Sequence, residues 1–301
     1  VHTENQEVDL PILKEKKVSL YIKREDSIHP LISGNKYRKL KYNTLKAKSE
    51  QYDTLLTFGG AYSNHIAATA CAANENGLRS VGIIRGEELA FKWHENPTLS
   101  LAFELGMELN FVSRNDYRKK HTEHCLECLK SEFGRFYLLP EGGTNDLAVK
   151  GCEEILTGTD SAFDIICSCV GTGGTIAGII NTAGPKQQVL GFPALKENFL
   201  KEDIRKFAAN GNWDLIRDYH FGGYAKVSTA LIHFINEFKK KTRIPLDPVY
   251  TGKMLYGIID MVKRDRFVPG TKILAVHTGG LQGISGMNAK LKKKNLPLIE
   301  L

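Results

Sequence analysis

Short runs rich in β-branched and aliphatic residues alternate along the chain with stretches whose apolar positions recur every three or four residues. The first pattern predicts strands at 18–22, 54–58, 80–84, 108–112, 136–139, 164–170, 188–192 and 272–277. The second predicts helices at 37–49, 64–75, 115–133, 147–156, 175–183, 228–241 and 255–263. Strands separated by helices of this length imply βαβ crossovers, hence an α/β protein with mostly parallel sheets flanked by helices. No internal repeat, low-complexity block or proline-rich linker marks a hinge, so the lobes are expected to exchange chain more than once. A smaller α/β lobe is expected over 47–146, and a larger one over 1–46 together with 147–301.

Composition narrows the class. With 301 residues, 42% of them hydrophobic and 25% charged, the chain can bury a sizeable core. A disordered, collagen-like or disulfide-stapled protein is excluded. The most apolar neighbourhood, 164–183, is broken by Asp164 and by glycines including Gly171 and Gly174, so no segment approaches a membrane span. No N-terminal stretch joins a basic start, an apolar block and a small-residue cleavage site, so export is not expected. The chain opens at Val1 rather than Met, which leaves room for a natural N-terminus upstream.

Cys71, Cys125, Cys128, Cys152, Cys167 and Cys169 are scattered rather than set in a framework, which suits a reduced, cytoplasmic setting. Cys167 and Cys169 alternate within an apolar strand and are expected on one buried face. The net charge of +7 is concentrated in Lys239–Lys241 with Arg243, and in Lys290 with Lys292–Lys294. Both clusters fall late in helical segments, where cations complement the helix dipole and stay hydrated. A nucleic-acid footprint would need such charges on one face with exposed aromatics, and neither nucleic acid nor membrane is expected as a partner.

Three constellations carry candidate chemistry. Thr57-Phe58-Gly59-Gly60-Ala61-Tyr62-Ser63-Asn64-His65 takes a strand through a Gly-Gly turn into an Ala-rich helix capped by Ser63 or Asn64. Unpaired N–H groups there suit an anion, although a plain βα turn reads the same way. His65 is expected to pack or cap. The second constellation ends an apolar strand with Gly171-Thr172-Gly173-Gly174-Thr175. No Gly-Lys-Ser/Thr follows, so it is not a P-loop. Ile176 stands where a dinucleotide fingerprint has its third glycine, and the next strand ends without a ribose-binding acid. A phosphate monoester without a nucleotide fits better; a tight turn without ligand is the alternative.

The third constellation is Ser33-Gly34-Asn35-Lys36-Tyr37-Arg38-Lys39-Leu40. Lys36 opens a helix whose dipole repels a cation, so it either swings out to solvent or has its pKa lowered. A desolvated neutral lysine attacks carbonyls and forms Schiff bases. Lys39 and Lys41 are expected to be ordinary surface charges. Together, two anion sites and one lysine suit a phosphate-bearing cofactor and a carboxylate-bearing substrate, the pairing of pyridoxal 5'-phosphate with a small amino acid. A further grouping, His121, Cys125 and Cys128 at i, i+4 and i+7, mimics zinc-ligand spacing on one helical face. It lacks a second Cys/His pair nearby, and no metal is expected.

Read in order, 22–26 (Ile-Lys-Arg-Glu-Asp), 33–40, 60–65, 171–175, 247–253 and 277–280 give the chain a family resemblance. It resembles the fold-type-II pyridoxal-phosphate enzymes, and specifically the 1-aminocyclopropane-1-carboxylate deaminase/D-cysteine desulfhydrase family. The resemblance implies a tryptophan synthase β-like architecture of two open, twisted sheets with the active site between the lobes, and a homodimer. It implies that Lys36 holds the cofactor as a Schiff base and that Asn64 bonds the phenolic oxygen. Thr172, Gly173, Gly174 and Thr175, following Gly171, would cradle the phosphate. Ser63 would grip the substrate carboxylate or relay a proton. Tyr250 and Tyr224 would sit over the substrate, with Tyr224 the weaker match, and Thr278 would face the pyridine nitrogen. Read without the resemblance, both tyrosines could be loop or helix-start aromatics, and Thr278 a cap.

One departure bears on substrate. Deaminases acting on the cyclopropane carry a glutamate after the tyrosine, where this chain has Thr251. A hydroxyl cannot keep the ring nitrogen protonated as a carboxylate does. The expectation is therefore D-cysteine desulfhydrase-like β-elimination, giving an α-keto acid, ammonia and the leaving group. Cyclopropane ring opening is the alternative within the family. A non-catalytic sensor that keeps the cofactor site is the alternative from another class, and retention of Lys36, Ser63 and Tyr250 together argues against it.

Overall fold

The computed structural model describes residues 1–32, 34–196 and 199–300; Ser33, the first residue of the lysine run, and Leu301 lie outside them. All eight expected strands form: β2 (Ser19–Lys23), β3 (Thr54–Gly59), β4 (Arg79–Arg85), β5 (Met107–Val112), β6 (Tyr137–Leu139), β7 (Ile165–Val170), β8 (Gln188–Pro193) and β10 (Lys272–Val276). Two more, β1 (Asn5–Glu7) and β9 (Trp213–Leu215), are three-residue edge strands too short to show a period.

The strands make a six-stranded sheet in the order β1-β2-β10-β7-β8-β9 and a four-stranded one in the order β5-β4-β3-β6. Every pairing is parallel except β1 with β2. The chain enters the smaller sheet once, at β3, and leaves it once, after β6. Parallel strands are covered on both faces, which is why β3 is buried along its whole length.

The period-2 reading of β7 holds. Cys167 and Cys169 face one core layer, with Met254, Leu255 and Ile258 of the helix Thr251–Lys263. Ile166 and Val170 face the other, with Ile176, Ile179 and Ile180 of the helix Gly174–Thr182. Because the strands run parallel, the C-terminal ends of β7 and β10 share one edge of the large sheet, from which the 171–175 and 277–280 loops emerge. The 60–63 turn likewise follows the C-terminal end of β3. Open α/β sheets bind ligands at this edge.

Two expectations need correction. The helix expected over 115–133 is two helices, Arg114–Arg118 and Glu123–Phe133, because Ser113 and Thr122 each accept a backbone N–H and start a new turn. His121 therefore precedes the second helix and shares no helical face with Cys125 and Cys128. The helices Pro11–Glu15 and Pro97–Glu104, each opened by a proline at the first helical position, were not anticipated. Leu200–Arg205 was not anticipated either.

β2 is anchored by a buried ion pair in which Lys23 Nζ lies 3.0 Å from Asp160 Oδ2, both groups 1% exposed. Burial alone would push the Asp160 carboxyl up, but bonds from Asn5, the Thr157 amide and Lys23 hold it below the usual range. A lowered carboxyl stabilises the fold above its unfolded pKa and loses that contribution only as pH falls through the folded value. Asp160→Ala, which strands Lys23 in the core, is expected to cost about 3–5 kcal/mol near neutral pH, read by urea unfolding.

Candidate active site

The helix Asn35–Ser49 starts from Gly34 at φ +57°, where a Cβ would stand 2.0 Å from the Thr278 carbonyl oxygen. Only glycine lets the helix start abut the turn that follows β10. Asn35 then donates its amide N–H to Thr278 O at 3.3 Å and its side-chain amide to Thr175 Oγ1 at 2.7 Å. The lysine run is thus tied to both loops at the edge of the large sheet.

Lys36 Nζ donates to Gly142 O at 3.3 Å. Burial first, and the neighbouring Lys39 second, pull its pKa down to about 7. Of the two fates expected for a lysine at a helix start, the lowered pKa is realised. Lys39 corrects the expectation of a surface charge. It is 2% exposed, one helical turn beyond Lys36, and donates to Thr144 Oγ1 at 2.9 Å, Gly142 O at 3.1 Å and Thr172 Oγ1 at 3.4 Å. Burial lowers its pKa as well. Among the described residues no carboxylate forms an ion pair with it. Lys41 behaves as expected, paired at the surface with Glu154 at 2.7 Å.

The glycine loop meets these lysines. Gly173, at φ +85°, turns the chain left-handed into the helix Gly174–Thr182, whose first N–H groups are presented at the turn. Thr172 Oγ1 lies 2.6 Å from Thr144 Oγ1, and Gly142 packs against the Thr172 side chain. The lysine near residue 36 and the loop near residue 173 therefore meet through Gly142, Thr144 and Lys39.

The other expected side chains stand on separate segments. Ser63 caps the helix Asn64–Glu75, its Oγ accepting the Ile66 N–H at 3.4 Å and its own proton remaining to donate. Asn64 Oδ1 accepts Gln282 Nε2 at 2.5 Å. Tyr250 packs beside Gly171, and its ring centre lies 6.3 Å from that of the partly exposed Tyr224. Burial, then Tyr224, raises the Tyr250 phenol well above its ordinary range, so it remains a donor. Lys253 anchors the loop that carries Tyr224, donating to His220 O at 2.9 Å and Gly223 O at 2.8 Å. Burial lowers its pKa to about 8.

Asp247 caps the following helix, accepting N–H groups from Val249, Tyr250 and Thr251 and the Thr251 hydroxyl at 2.8 Å. Thr251 is fully buried and its proton is committed to Asp247. Thr278 Oγ1 sits 2.9 Å from Cys169 Sγ, a thiol whose pKa burial pushes up to about 12. His65 is packed as expected, 1% exposed, with Nε2 2.9 Å from Thr57 Oγ1.

Among the described residues, the only three potential ligands gathered closely enough for a metal are His29, Cys71 and Glu75. His29 Nδ1 accepts the amides of Leu31 and Ile32, so its proton sits on Nε2 and points at Glu75, 3.0 Å away. The three groups bond to one another.

Residues 4–279 match the family profile described as pyridoxal-phosphate dependent enzyme. The chain belongs to this family. Relatives of this pyridoxal-phosphate enzyme include the mitochondrial bifunctional D-cysteine desulfhydrase/1-aminocyclopropane-1-carboxylate deaminase of Arabidopsis thaliana, 33% identical over 88% of this chain and 73% of that protein. The 1-aminocyclopropane-1-carboxylate deaminase of Burkholderia cenocepacia is 29% identical over 90% of this chain and 89% of its own. The crystal structure of an ACC deaminase homologue superposes with a TM-score of 0.83 at 30% identity, covering 97% of this chain and 94% of that one. O-ureido-L-serine synthase shares the fold, with a TM-score of 0.69 at 16% identity, covering 94% and 90%. The architecture is that of the fold-type-II enzymes, as the sequence resemblance implied.

The sequence reading missed Lys39, Thr144 and Gln282. Only the i, i+3 spacing of Lys36 and Lys39 was a signal. Thr144 carried none, and Gln282, two residues past the 277–280 motif, is not part of it.

Proposed function

We propose that this pyridoxal-phosphate enzyme is a lyase that removes the β-substituent of a small amino acid, D-cysteine being the first candidate, and yields an α-keto acid and ammonia. The observation that carries the reading is the meeting of two lysines beside the glycine loop. Lys36, its pKa pulled down to about 7, and Lys39, a buried amine with no carboxylate partner among the described residues, both meet the carbonyl of Gly142 beside the 171–175 loop.

The residues fit the cofactor. A buried lysine, a glycine turn and a helix N-terminus together suit an anion of phosphate size, and no side chain among the described residues supplies one. Gly171, Thr172, Gly173, Gly174 and Thr175 with Lys39 would hold the phosphate, Asn64 the phenolic oxygen and Thr278 the pyridine nitrogen. Pyridoxal phosphate, when bound, supplies the electron sink that stabilises negative charge at the substrate's α-carbon. Lys36 supplies the amine for covalent attachment and, when released, a base for the α-proton; a pKa of about 7 leaves a large neutral fraction for both tasks. Ser63, at a helix start, offers a hydroxyl and adjoining N–H groups to a carboxylate. Tyr250 and Tyr224 close the substrate side as donors.

Thr251 favours elimination over ring opening. Its hydroxyl is spent on Asp247, so position 251 brings neither charge nor a proton to a ring nitrogen, and Thr278 is left as the contact there. Expelling a thiolate after α-proton removal needs a weaker sink than opening a cyclopropane whose α-carbon carries no hydrogen. For D-cysteine the balance is one water consumed, with sulfide, ammonia and pyruvate released. Ring opening is the second reading, favoured by the name of the Burkholderia relative and by half the name of the Arabidopsis one. Keto-acid release from D-cysteine, D-serine-type substrates, their L-forms and the cyclopropane substrate separates the two. Turnover of the cyclopropane alone would reverse the order. We place the enzyme in a reducing compartment, the cytoplasm, on its six free cysteines, and as a homodimer on family resemblance. Among the described residues no helix is long and apolar enough to cross a membrane.

A further inference from the structure

We propose that Gln282 is a positioning residue that fixes the direction of the Asn64 side-chain amide, so that its N–H side rather than its carbonyl side faces the cofactor. This rests on the reading of Asn64 as the contact to the phenolic oxygen.

A carboxamide carries its acceptor and its two donors on opposite sides of one plane, and rotation by half a turn exchanges them at little steric cost. Asn64 is the first residue of its helix, on the smaller-sheet side of the cleft. Gln282 immediately precedes the helix Gly283–Lys293, on the larger-sheet side. Gln282 Nε2 donates to Asn64 Oδ1 at 2.5 Å. With the carbonyl side taken, Nδ2 points the other way, toward the turn after Thr278. There it lies 2.9 Å from the place where a Cβ on Gly280 would stand, and the Asp247 carboxyl carbon lies 3.4 Å from the same point. The donor side of Asn64 is thereby turned to the 278–280 turn, the same turn that abuts Gly34 and Asn35 at the start of the Lys36 helix. A donor at that position favours the ionised phenolic oxygen over the protonated one; a carbonyl would do the reverse.

The docking of the two sides does not depend on this bond alone. Tyr62 packs on Gly286, where a Cβ would lie 2.3 Å from the Tyr62 ring, and Lys290 Nζ stands 4.6 Å from the centre of that ring. Variants at 282 therefore test the amide's direction with the helix still seated.

The experiment follows the near-ultraviolet and visible bands of the holoenzyme as pH is varied, with cofactor affinity measured alongside. Gln282→Glu offers only acceptors, so Asn64 turns its N–H side toward residue 282 and its carbonyl toward the cofactor. The pH midpoint of the visible band is expected to rise by about one unit, the size of one lost hydrogen bond to an ionised group. Gln282→Met, similar in volume and without a donor, is expected to give a smaller rise in the same direction. In an Asn64→Ala background neither substitution is expected to move the midpoint further, which separates amide direction from the added charge of the glutamate. Unmoved midpoints in both single variants overturn the inference, as does a Gln282→Glu shift that persists without Asn64. A wild-type protein that takes up no pyridoxal phosphate removes the functional reading and this inference together. A coloured wild type with unmoved variant midpoints removes the inference alone.

Discussion

Lys36→Ala is expected to lose turnover by about 10²–10⁴-fold from the proton-transfer role alone, with the loss of covalent attachment added to it. The cofactor's visible band should vanish or shift as its link to the protein is removed. The fold should survive, since among the described residues the Lys36 side chain makes a single bond, to Gly142 O. Far-ultraviolet circular dichroism checks that point. The wild type adds a pH signature. Only the neutral amine attacks a carbonyl, so the rate at which apo-protein captures pyridoxal phosphate should rise with pH and level off above about 7. A capture rate still climbing toward the ordinary lysine range, near 10.4, would show that the amine is not desolvated in solution.

Lys39→Met should weaken cofactor binding by about 10- to 150-fold, corresponding to about 1.5–3 kcal/mol for a hydrogen bond to a charged group. Equilibrium titration with pyridoxal phosphate measures it. A second effect has a definite sign. The Lys39 cation is, after burial, a cause of the low Lys36 pKa, so its removal should move the midpoint of the capture profile upward. Methionine keeps the length and apolar bulk of the stem, and no carboxylate among the described residues is stranded by the change. Stability should therefore hold or rise. Unchanged affinity would mean that the buried ammonium serves packing of the 139–144 loop and not the phosphate.

These two lysines show how unevenly the site could be read from the chain. Lys36 was legible because a cation at a helix start conflicts with the dipole, and a local conflict of that kind marks function. Lys39 was not, because Lys-Tyr-Arg-Lys-Leu-Lys has the look of a solvated face. Its burial comes from Thr144 and Thr172, more than a hundred residues away, closing over the helix. Arg38 tells the same story: it is 2% exposed because Glu25 meets it at 2.9 Å. Ser63 and the 171–175 loop were legible from turn and capping chemistry. The link between Gln282 and Asn64 was not, since it joins two helix starts on different sheets.

The sequence by itself determined which segments become strands and helices, because apolar period and turn residues act over a few neighbours. It also pointed, through glycine turns and one misplaced lysine, to an anion and an amine chemistry. The tertiary structure alone decided that the lysine run and the glycine loop meet, that Lys39 is buried beside Lys36, and that Thr251 spends its hydroxyl on Asp247. Each of those depends on which distant loops cover a residue, and burial, which sets the charge state of an amine, is a property of the surroundings and not of the residue.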